Sequence, residues 1–95
     1  MKISFTPVRR SDSLVLSKLG DTLTINGEIY DFAALPEGAT LPREAVACAW
    51  LASDVLRING EIELTLVLPL GPGASAAARF PAPITPADGA IPLPA

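Results

Sequence analysis

Glu28, Asp31, Glu61 and Glu63 are the residues of this 95-residue chain whose types and spacing come nearest to a catalytic set. Two carboxyl groups act as acid and base in glycoside hydrolysis when they stand roughly 5–9.5 Å apart across a sugar-sized cleft. So short a chain leaves little room for such a cleft, and acids beside turns ordinarily keep sheet edges soluble. No Asp-rich spacing of the kind that wraps calcium is present. Histidine is absent altogether, which removes the commonest general base and the commonest transition-metal ligand. The single cysteine, Cys48, sits in Val-Ala-Cys-Ala-Trp. Apolar surroundings make a thiol inert, and one cysteine allows neither an intrachain disulfide nor a zinc cluster. Phosphate loops and nucleophile elbows are missing too. The expectation is a protein without catalysis, cofactor or metal.

What remains is binding chemistry. Trp50 and Tyr30 are candidate anchors for a partner, as aromatic side chains often are, although a chain with so few aromatics also needs them for its core. Pro69-Leu-Gly-Pro72 and Pro83-Ile-Thr-Pro86 match a proline-recognition pattern but lack flanking basic residues. A net charge of −3 argues against nucleic acid, since phosphates need Lys and Arg to neutralise them. No apolar run approaches the roughly 18–20 residues that span a bilayer, and the first ten residues hold no secretory h-region. A cytoplasmic protein with a reduced Cys48 is expected. Its composition, 49% hydrophobic and 18% charged, is apolar for so small a domain, and a subunit interface would bury the excess.

The elements that must carry these residues announce themselves in a phrase used twice. Leu-Thr-Ile-Asn-Gly-Glu-Ile occupies 23–29, and Leu-Arg-Ile-Asn-Gly-Glu-Ile occupies 56–62. Asn-Gly between apolar β-formers marks a tight hairpin, because a primed turn requires positive φ at both central residues. In the first copy, alternation and turns agree. Two-residue turns at Gly20-Asp21 and Asn26-Gly27 place Leu14, Leu16, Leu23, Ile25, Tyr30 and Phe32 on one face of a meander. In the second copy, Ile62, Leu64, Leu66 and Leu68 alternate cleanly. A two-residue turn sets them beside Arg57 and Val55, whereas an odd-length loop sets them beside Ile58 and Leu56; the apolar pattern prefers the odd loop, and the register stays open. Lys2–Thr6 reads as a further strand. Residues 46–51 read as a strand leading into the second hairpin, with a short helix after Pro42 as the alternative.

Composition changes at Pro69. The last 27 residues hold seven of the ten prolines and only two charges, Arg79 and Asp88. Residues 1–68 are thus expected to form an all-β domain, a small antiparallel meander of about six or seven short strands with sandwich or barrel form. Residues 69–95 are expected to be an extended tail outside the sheets. Disordered segments are charged and apolar-poor, whereas this one carries Leu70, Phe80, Ile84, Ile91 and Leu93. It should dock on its own sheet or on a neighbouring subunit, with Phe80 the main anchor and Ile84, Ile91 and Leu93 beside it.

The ordered phrases Met1–Arg10, Leu23–Glu28, Leu35–Pro42 and Leu64–Pro69 resemble those of a group of small proteins encoded in phages and prophages of proteobacteria, often among tail genes. The resemblance implies a structural or tail-assembly role through contacts with other protein subunits, as a homo-oligomer or with tail components. It further implies a location in the bacterial host cytoplasm or in the virion, and it transfers no active-site residue. A different class of reading is an accessory β module in which the sheet face or the hairpin acids hold a small ligand or carbohydrate, and a deep apolar pocket lined by Trp50 or Tyr30 would favour it.

Overall fold

The computed structural model describes residues 1–94, which form two four-stranded sheets packed over one core. One sheet holds β1 (Lys2–Arg9), β7 (Glu61–Leu70), β6 (Val55–Ile58) and β5 (Thr40–Leu41), in that order across it. The other holds β4 (Glu28–Asp31), β3 (Thr22–Ile25), β2 (Leu16–Leu19) and β8 (Gly89–Ile91). Fold class is therefore all-β, in sandwich form. Inward residues alternate along each strand: Ile3 and Phe5, then Leu16, Leu23 and Ile25, then Ile62, Leu64, Leu66 and Leu68 are all buried.

The first meander has the register its turns demand. Leu19 pairs with Thr22 and Ile25 with Glu28, so each connection holds two residues. Asn26 has φ +49° and Gly27 φ +84°, the primed-turn geometry. The Asn26 side chain also accepts from the Val15 amide and donates to the Ser13 carbonyl, which ties the approach to β2 onto the turn.

The second hairpin corrects the expectation of an odd loop. Ile58 pairs with Glu61 and Arg57 with Ile62, again across two residues, with Asn59 at φ +52° and Gly60 at φ +79°. Arg57 thereby faces inward beside Ile62 while Ile58 lies exposed. The inward arginine is tolerated because each of its three guanidinium nitrogens has an acceptor. It donates to the carbonyls of Leu35, Phe32 and Gly60 and pairs with Asp21 at 2.9 Å.

The expected strand over 46–51 is also corrected. Arg43–Ala45 form a short 3-10 turn after Pro42, and only Leu51 makes a strand-like bridge, to Leu66. Local turns break the segment, with Cys48 donating to the Val46 carbonyl and Leu51 to the Cys48 carbonyl, and a bulge follows Leu51. Ala52 donates to the Thr65 carbonyl while the Ser53 hydroxyl, rather than a backbone group, accepts from the Thr65 amide. A third feature was not anticipated: β1 runs parallel to β7, with Lys2 opposite Glu63 and Arg9 opposite Leu70.

Residues 69–94 do not stand outside the sheets. Strand β7 continues through Pro69 and Leu70, and β8 pairs with β2 through Leu16–Ile91, Ser17–Ala90 and Lys18–Gly89. Between them, Ser75 caps α1 (Ala76–Arg79), and Ile84 exchanges two backbone hydrogen bonds of 2.8 Å with Ile3. The segment is a strap that crosses from the edge of β1 in one sheet to the edge of β2 in the other. Ala78 and Ile91 are its buried anchors, with Ile84 and Leu93 half-buried. Phe80, expected to be the main anchor, is 83% exposed. The α1 turn puts Ala78 on the core side and ends at Phe80, whose side chain is thereby carried out to solvent. Asp88 latches the strap, accepting from the Lys18 ammonium and the Gly20 amide, and these two bonds hold its carboxyl below the ordinary carboxylate range.

Candidate binding cleft

Tyr30 and Trp50, the two aromatic candidates, come together at one end of the sandwich. Tyr30 projects from β4, and Trp50 from the irregular segment between the 3-10 turn and the bulge. With Ile25, Asn26, Glu28, Ala47 and Ala49 they line an open cleft of about 340 Å³. That volume is at the lower end of the range in which small ligands and side chains are held.

The polar groups of the cleft are unequally free. Both ends of the Asn26 amide are committed to the Ser13–Val15 backbone. The Tyr30 hydroxyl donates to the Ala47 carbonyl at 3.2 Å. Glu28, by contrast, makes no hydrogen bond or ion pair among the described residues. Trp50 already carries one cation: the Arg10 guanidinium lies 4.2 Å from the ring centroid. Arg10 is itself neutralised by Asp12 through two hydrogen bonds. That pairing raises the pKa of Arg10 and lowers that of Asp12.

Burial pushes the Tyr30 phenol up to about 12, with the neighbouring Cys48 and the Glu28 carboxylate adding to the shift. An elevated phenol pKa means that folding favours the neutral form. Its contribution is complete below the unfolded value of about 10 and is lost as pH rises through the folded value. Tyr30 is the only tyrosine, so absorbance titration reads it alone. The expected midpoint is about 12, with stability falling between pH ~10 and that point; a midpoint near 10 would show that the ring is solvated.

The other sequence candidates do not converge here. Glu28 and Glu61, which share a slot in the repeated phrase, stand in different sheets. Among the described residues, no three His, Cys, Asp or Glu side chains are grouped to hold a metal ion. An opening of similar volume on the outer face of the β1-β7-β6-β5 sheet is lined by Ser4, Ser53, Asp54, Leu56, Glu63 and Thr65. Two of its polar side chains serve the backbone, Ser53 satisfying the bulge and Asp54 accepting from the Arg43 amide.

No protein family, curated protein or solved structure matches this chain. No helix among the described residues is long and apolar enough to cross a membrane.

One feature at a distance from the cleft had no sequence signal beyond alternation. On the outer face of the β4-β3-β2-β8 sheet, Ile29, Thr24, Ser17 and Ala90 form one cross-strand row, and Asp31, Thr22 and Leu19 the next. Val15 continues the face. Ile29, Leu19 and Val15 are 72, 73 and 67% exposed, and Asp31 is the single charge among these residues.

Proposed function

We propose that this chain is a structural or tail-assembly subunit of phage origin that acts through protein–protein contacts and performs no catalysis. The observation that carries the reading is the outer face of the β4-β3-β2-β8 sheet. Three large aliphatic side chains stand in solvent there among serine, threonine and alanine, and one carboxylate is the only charge. Charge depletion with exposed apolar area is the character of an interface core rather than of a free surface. Phe80, exposed on the strap, offers a further aromatic contact. Support for phage origin is the resemblance of the strand and turn phrases, and host cytoplasm or virion is the corresponding location. A gene standing among metabolic genes, with no phage genes nearby, would overturn that part.

The contact role is tested by solution mass. Light scattering is expected to give an assembly, and Ile29→Lys with Leu19→Glu should reduce it to single chains. Thermal stability should stay within the small range of surface substitutions, about 0.5 kcal/mol. A wild-type chain that remains monomeric at high concentration sinks the self-assembly form of the proposal. A second reading, an accessory module for a small ligand, is favoured by the meeting of Tyr30 and Trp50 in one cleft.

A further inference from the structure

We propose that the Tyr30–Trp50 cleft receives an arginine side chain presented by another protein. The inference rests on the second reading above, that the cleft binds something, and specifies what. Three observations converge on a guanidinium. The first is the unpartnered carboxylate of Glu28 on the cleft wall. A carboxylate facing a guanidinium gives the strong, charge-assisted, two-pronged pairing that neutral ligands cannot make.

The second is the pair of aromatic rings. Planar cations are attracted to the faces of tryptophan and tyrosine, and arginine more often than lysine because its flat, weakly hydrated head stacks. The chain demonstrates this affinity on itself, with Arg10 seated 4.2 Å from the Trp50 centroid. Asp12 holds that internal arginine, so Arg10 leaves Glu28 without an ion pair.

The third observation weighs against the carbohydrate alternative. A sugar ring needs several free donors and acceptors around its hydroxyls. The Asn26 amide is spent on Val15 and Ser13, and the Tyr30 hydroxyl on Ala47. The Glu28 carboxylate and the Trp50 indole N–H are the side-chain groups that remain. One carboxylate in a cleft with two aromatic rings suits a cation and offers a sugar few partners.

The test uses the full chain and reads Trp50, the only tryptophan, by its emission and by its indole N–H resonance. The probes are N-acetyl-arginine amide, N-acetyl-lysine amide and a neutral disaccharide. The arginine probe is expected to give a saturable change, with the lysine probe weaker. Glu28→Gln, an exposed substitution that leaves the fold intact, should weaken arginine binding about tenfold, and Glu28→Lys should abolish it. Disaccharide binding without arginine binding would overturn the cation assignment while keeping the cleft as a ligand site. Equal arginine affinity in wild type and Glu28→Gln also overturns it. No response to any probe rejects both the assignment and the ligand reading, and leaves assembly through the outer sheet face standing.

Discussion

Removal of the strap, by ending the chain after Leu70, is expected to lower the melting temperature by on the order of 20 °C and to promote aggregation. Two effects add. Burial of Ala78 and Ile91 is lost, together with the half-buried contacts of Ile84 and Leu93. A fully buried aliphatic side chain contributes about 1.5–3 kcal/mol, so the combined loss of about 3–5 kcal/mol is a large share of the ~5–15 kcal/mol that holds a domain folded. At roughly 4–8 °C per kcal/mol for a domain of this size, the shift in melting temperature follows. The second effect is kinetic. Without the strap, β2 loses its β8 ladder and Ile3 its two bonds to Ile84, so both sheets present unpaired edges. Calorimetry of the shortened chain measures the first effect, and light scattering on heating the second. Phe80→Ala is the internal control. With its ring in solvent it should leave the melting temperature unchanged, and an unchanged temperature in the shortened chain would mean that the strap holds nothing.

The first meander was legible to the residue because local and global preferences coincide there. Alternation puts Leu16, Leu23 and Ile25 on one face, and both turns carry residues that tolerate positive φ, so only one register satisfies both. The second hairpin has the same turn chemistry, but alternation points the other way, and turn chemistry prevailed. The cause lies outside the hairpin, in the carbonyls of Phe32 and Leu35 and the carboxylate of Asp21, which make an inward Arg57 acceptable. Acceptors that belong to a backbone 22–25 residues away leave no mark on the pattern around an arginine. Pairing of β1 with β7 was illegible for a related reason: Lys2 and Glu63 meet across the whole body of the chain, and parallel ladders carry no turn signal. Docking of the proline-rich segment was legible in its low charge and spaced aliphatics. Its anchors were not, because residue size favoured Phe80 whereas the capped turn at Ser75 turns the small Ala78 inward. Tyr30 and Trp50 stood out singly as aromatics; that they share a wall with an unpaired Glu28 depends on how β4 meets the irregular segment before the bulge.

Arg57 is where the largest effect of any single polar side chain is expected. Its guanidinium reaches from β6 across to the turn between β2 and β3 and to the backbone that follows β4, so one side chain joins the two sheets at that end. Its side chain is 12% exposed, and Asp21 opposite is 34% exposed. Replacement by alanine leaves the Leu35 carbonyl and the Asp21 carboxylate without their donor, while the Phe32 carbonyl keeps only the Leu35 amide. Unsatisfied buried acceptors cost about 1–3 kcal/mol each, tempered here by water reaching the half-open side, which gives a loss of about 2–4 kcal/mol. Three variants separate the causes. Arg57→Met keeps an apolar stem and should recover only the packing part. Arg57→Lys keeps the charge but cannot fork toward acceptors on separate elements, so it too should fall well short of wild type. Asp21→Asn removes only the partly exposed ion pair and should cost no more than about 1 kcal/mol. Urea unfolding decides among these outcomes, with the midpoint falling and the slope unchanged if the folded state alone is affected. If Arg57→Met proves as stable as wild type, the bonds to the two carbonyls contribute nothing net. The inward register of β6 would then rest on the Asn59-Gly60 turn alone.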